Sequence, residues 1–150
     1  MKVIFISRYV EFDSGLDPIP VNILSKKIGI ISHYLADYVC LPHAKRWTFF
    51  NSMFKHLRYE SELDEYVAKH DFKKNIIDTG DIDIYDAEGV SLKSKIVNYI
   101  EDVIEEYSLK VSFQNDLDFA LSLNLKISYF ILDTIKSYNK DIHSQFAFEF

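Results

Sequence analysis

The sequence predicts an α+β fold dominated by helices, with about four to five helices and a small sheet formed by N- and C-terminal strands. Three observations predict it. Only four Gly and three Pro occur in 150 residues, too few for the many tight turns of sandwiches and barrels. Apolar residues recur every three or four positions through most of the chain, the period of a half-buried helix. The two ends instead carry short runs of β-branched and aromatic residues. Hydrophobic residues make up 48% of the chain and aromatics 15%, which excludes disorder. The length predicts one domain, 1–150, able to bury a core without disulfide or metal.

Residues 3–10 (VIFISRYV) read as a buried strand and 12–20, with Gly15, Pro18 and Pro20, as a loop. Residues 22–41 read as a helix. Leu24, Ile28, Ile31, Leu35 and Tyr38 form its stripe, with Ile30, Tyr34 and Val39 beside them. Asn22 can cap its start and Pro42 stops its end. Gly29 inside the pattern costs about 1 kcal/mol against Ala. Phe50, Met53, Phe54 and Leu57 give a further helical pattern, and a second short helix can begin at Ser61, where Ser61 and Asp64 resemble a capping box. Its face holds Leu63, Tyr66, Val67 and His70, with Glu65 and Lys69 a favourable pair.

Residues 71–89 lack a helical period. Gly80 and Gly89 punctuate them, and Ile82 and Ile84 alternate with aspartates as in an exposed strand or an ordered loop. Ser91 opens a helix to about Tyr107, with Leu92, Ile96, Ile100, Val103 and Tyr107 inward. Residues 109–113 alternate as a strand would. Residues 117–138 fit a helix through Leu117, Leu121, Leu125, Leu132 and Ile135. Leu121, Leu123, Leu125 and Ile127 also alternate as in a strand, and length favours the helix. Residues 146–150, with Phe146, Phe148 and Phe150, read as a final strand pairing with the first.

The net charge of −6 is polarised: +3 over residues 1–60 and −9 over 61–150. An acidic chain is a poor nucleic-acid binder, because phosphate attraction dominates that affinity. No apolar run approaches a membrane span, and the first residues lack the pattern of a secretory signal. With Cys40 the lone cysteine, these features predict a cytoplasmic protein with no membrane partner. Lys45, Arg46, Trp47, Phe49, Phe50, Lys55, His56 and Arg58 form one basic, aromatic cluster. It fits an amphipathic helix, with Phe50, Met53, Phe54 and Leu57 inward, better than a nucleic-acid surface.

No Gly-rich phosphate loop, GxSxG or GxGxxG occurs. His33, His43, His56, His70 and His143 form no HExxH or other zinc signature. His33 and His70 lie in or beside helical stripes and read as packed, and Cys40 reads as a small core residue. The acidic band between 78 and 106 holds nine acids against Lys93 and Lys95. It fails as an EF-hand from Asp81, because Tyr85, Asp86 and Leu92 fall where an acid, a Gly and a Glu are required.

In general character the chain resembles bacterial toxin-immunity proteins of the contact-dependent growth inhibition or polymorphic-toxin type: small, acidic, rich in Lys, Ile, Asn, Tyr and Phe, and free of catalytic motifs. No motif carries the resemblance. It implies a binding protein rather than an enzyme, without cofactor or metal. Such a protein would neutralise a basic nuclease toxin by occluding its active site or an adjacent exosite. The candidate contacts are Asp78, Asp81, Asp83, Asp86, Glu101, Asp102, Glu105 and Glu106, with Tyr85 and Tyr99 as aromatic anchors. The alternatives are a small enzyme with a site of scattered His and Asp/Glu residues, and a regulatory subunit of a larger assembly.

Overall fold

A computed structural model describes residues 18–47, 49–82 and 91–146. Among the described residues are five helices: α1 Pro18–Tyr38, α2 Leu41–Ala44, α3 Phe49–Val67, α4 Leu92–Ser108 and α5 Phe113–Phe146. They contain no strand. The expectation of an α+β fold with a small terminal sheet is therefore corrected to a helical one. Phe146, expected to open the last strand, ends α5. The expected strand at 3–10 and residues 147–150 lie outside the described residues. None of the described helices is long and apolar enough to cross a membrane.

Pro18 and Pro20 open α1 instead of a loop. First-turn amides have no helical partner, so proline costs little there. Of the expected stripe, Leu24 and Leu35 are buried and Ile28 and Ile31 half-buried, whereas Tyr38 is exposed; beside it Val39 is buried and Ile30 and Tyr34 are exposed. α3 runs through Ser61 without a break. Its interruption falls at Ser52, whose φ of −158° and ψ of 22° are non-helical. Ser91 caps α4, its Oγ accepting from the Ser94 amide at 3.1 Å, and Tyr99, Val103 and Tyr107 are buried at four-residue spacing. α5 absorbs the alternating leucines. Asp116, Phe119, Leu123 and Ile127 are buried on one face, with Asp118 and Ser122 beside them, which is a helical rhythm and not a period of two. The expected strand at 109–113 is overridden because this helix already starts at Phe113.

The chain divides into two compact units. One ends at Ser32 and resumes at Lys126; the other is His33–Leu125. In the first, Leu24 and Ile135 are buried, and Ile28, Ile31, Ile131 and Leu132 pack against them. The second buries Leu35, Val39, Ile77, Tyr99, Val103, Tyr107, Phe119 and Leu123. Burying each such side chain contributes about 1.5–3 kcal/mol.

The second unit also holds an irregular segment after α3. Its amides have no ladder to join, and buried amides need acceptors. Side chains on α4 and α5 supply them. Asp118 Oδ1 accepts from the Lys73 amide at 2.9 Å, and Ser122 Oγ accepts from the Ile76 amide at 3.2 Å. The Glu106 carboxylate accepts from the Asp78 amide at 2.9 Å and the Thr79 amide at 3.0 Å. It also accepts from Thr79 Oγ1 at 2.8 Å.

Candidate metal centre

Three elements of the second unit bring His and acid side chains together. The end of α1 carries His33 and Asp37 four residues apart, His33 Nε2 lying 3.6 Å from Asp37 Oδ2. The short helix α2 carries His43, and α3 carries His56 and Glu60, again four apart and so on one helical face. His43 Nε2 lies 3.7 Å from both Asp37 Oδ1 and Glu60 Oε1. His56 Nε2 is 2.8 Å from Glu60 Oε1. The His43 and His56 rings meet edge to face at 4.9 Å.

One ligand atom from each of His43, His56 and Glu60 falls within 4.8 Å of the others. His43 and Glu60 are exposed and His56 is half-buried, so the group opens to solvent. His56 Nδ1 faces the Trp47 carbonyl oxygen at 3.4 Å. The 2.8 Å contact of His56 Nε2 with Glu60 Oε1 holds a proton between the two atoms, and a metal bound by both would displace it.

Behind this group lies a buried acid. Asp116, 1% exposed, accepts at Oδ2 from the Tyr59 hydroxyl at 2.7 Å and the Leu41 amide at 3.2 Å. At Oδ1 it accepts from the Tyr107 hydroxyl at 2.7 Å. Burial and the neighbouring carboxylate push both phenols up, so both stay protonated donors. Cys40 is pushed up to about 12, first by burial and then by Asp116, Glu60 and Asp37. It is a neutral thiol, and it is half-buried rather than the core residue expected. A second buried acid, Asp118, accepts from His70 Nε2 at 2.7 Å.

The acidic band is placed differently. Asp78 and Asp81 are exposed on the irregular segment, and Glu101, Asp102 and Glu105 are exposed on α4. Glu106 is half-buried and bonded to residues 78–79. Tyr99 is 6% exposed, and burial, with Asp81 and Glu106 nearby, pushes its phenol up to about 12. It is a core residue and not an exposed anchor. Asp83, Tyr85 and Asp86 lie outside the described residues.

His33 and His70 are both expected to be packed. The His70 side chain is 4% exposed, whereas that of His33 is 75% exposed, and His43 and His56, which form no zinc signature in the sequence, converge on Glu60. The missed signal is a spacing: two His-x3-acid pairs, 33/37 and 56/60, with His43 between them.

Residues 6–114 match the family of zinc dependent phospholipase C. The match covers more than half of the chain, and the chain belongs to that family. No curated relative and no solved structure matches it. Membership of an enzyme family overturns the resemblance to toxin-immunity proteins, the toxin-neutralising role and the expectation of a non-enzyme. That resemblance rested on size, acidity and missing motifs. An enzyme whose site is assembled by folding shares all three, and the alternative of a small enzyme with scattered His and Asp/Glu residues fits better.

Proposed function

We propose that the chain binds zinc through His43, His56 and Glu60 and hydrolyses the phosphodiester bond of a phospholipid on its glycerol side. The observation that carries this reading is the convergence of those three side chains in a chain of this family. The donor set suits zinc. Two imidazole nitrogens and one carboxylate oxygen are the usual protein ligands of a catalytic site that keeps a position open. Bonds of about 2.0–2.1 Å put tetrahedral ligand atoms roughly 3.4 Å apart, near the 3.7 Å between His43 and Glu60.

Zinc, when bound, supplies Lewis-acid chemistry toward water and a phosphoryl oxygen. The side chains do the rest. The Trp47 carbonyl orients the His56 ring. Asp37 Oδ1 stands 3.7 Å from His43 Nε2, and the exposure of His43 and Glu60 admits a substrate from solvent. In the reaction water adds to phosphorus, the bond to the glycerol oxygen breaks, and that oxygen takes up a proton.

The test is metal analysis of the purified chain together with release of a phosphorylated headgroup from phosphatidylcholine vesicles. The expected result is bound zinc, hydrolysis lost on chelation and hydrolysis restored by zinc. A chain that binds no zinc at micromolar concentration and releases no headgroup overturns the reading.

A further inference from the structure

We infer that Asp116 is a positioning residue for the metal centre: a single buried carboxylate that locks the two ligand-bearing helices α2 and α3 in register. The inference rests on the zinc reading above. Asp116 reaches each ligand through one intermediary. Its Oδ2 takes the Leu41 amide, the first amide of α2, two residues before His43. The same oxygen takes the hydroxyl of Tyr59, which lies on α3 between His56 and Glu60. A helix of four residues has almost no stability of its own, so α2 depends on such an anchor for the direction of the His43 ring.

The other oxygen of Asp116 takes Tyr107 of α4, a helix that carries none of the three ligands. Asp116 thus connects the ligand helices to the core of its unit. It stands beyond the matched span of residues 6–114. Outer partners that hold metal ligands in place typically change affinity by about 10–100-fold when removed.

The two tyrosines make the test internal. Each donates one hydroxyl to Asp116 at 2.7 Å, but only Tyr59 leads to ligands. Its ring packs on Phe113 at 4.7 Å and Trp47 at 6.0 Å, contacts that Tyr59→Phe keeps. Zinc affinity of the full chain is measured by competition with a chromogenic chelator, beside thermal unfolding of the metal-free protein.

Positioning predicts that Tyr59→Phe weakens zinc binding about 10-fold while Tyr107→Phe leaves it within about 2-fold. Asp116→Asn, where it folds, should weaken binding at least as much as Tyr59→Phe. Equal effects of the two tyrosine variants, or unchanged affinity in Tyr59→Phe, would overturn the inference and leave the zinc reading standing. A wild-type chain that binds no zinc overturns both.

Discussion

Two His–acid pairs of the second unit have nearly the same length and opposite surroundings. His56 and Glu60 approach to 2.8 Å with side chains 16% and 46% exposed. His70 and Asp118 approach to 2.7 Å with side chains 4% and 3% exposed. The open pair keeps spare lone pairs and room for a ligand, and it sits among His43, Asp37 and His33. In the sealed pair, Asp118 spends the same oxygen on the Lys73 amide as well. Chemistry is therefore set by what surrounds a pair rather than by its geometry, since a buried charge must be fully satisfied and an exposed one need not be.

Exchanging one member of each pair for alanine separates their roles. His56→Ala should lower phospholipid hydrolysis by about 10³-fold or more by removing a ligand, with unfolding free energy changed by no more than about 1 kcal/mol. Parallel assay and thermal melts read both. Asp118→Ala should do the reverse. It leaves the His70 ring and the Lys73 amide without their shared acceptor, and a buried group left unpaired costs about 1–3 kcal/mol. Denaturant unfolding should show that loss while zinc affinity of the folded fraction stays as in the wild type.

Glu106→Gln should cost about 1–2 kcal/mol, because charge-assisted bonds to two amides are weakened. Hydrogen exchange should quicken at Asp78 and Thr79 and not along α5. Smallest of all, Asp102→Asn on the exposed face of α4 should shift stability by less than about 0.5 kcal/mol. A large loss there would show that exposure is a poor guide to role in this molecule.

The helices were legible where local signals agreed. Ser91 followed by a regular stripe marked α4 to within a residue, and Leu24 and Leu35 marked the inner side of α1. Length decided rightly for a helix at Leu121 to Ile127, where an alternating pattern met a longer helical one; sequence failed at the expected strand of 109–113, and where α3 bends at Ser52, a position with no proline or glycine to flag it. Half of the candidate centre was written in the chain, as the two His-x3-acid pairs, and a search for HExxH passes over them. The contribution of His43 is unreadable without the fold, because α2 and α3 must first be brought together. Asp116 and Asp118 were missed for another reason. An acid in the first turn of a helix, as Asp116 is, or one just beyond it, as Asp118 is, looks like an ordinary solvated residue, and nothing local says that the core closes over either.

The irregular segment from Lys73 to Thr79 is drawn by side chains that lie elsewhere in the chain. Asp118, Ser122 and Glu106 grip the amides of residues 73, 76, 78 and 79, and every amino acid except proline carries an amide. Its path is thus encoded outside its own letters. Its own side chains add only a few fixed points, Asn75 at a φ of 57°, the buried Ile77 and the Thr79 hydroxyl, and proline at one of those four positions is a substitution that would derail it.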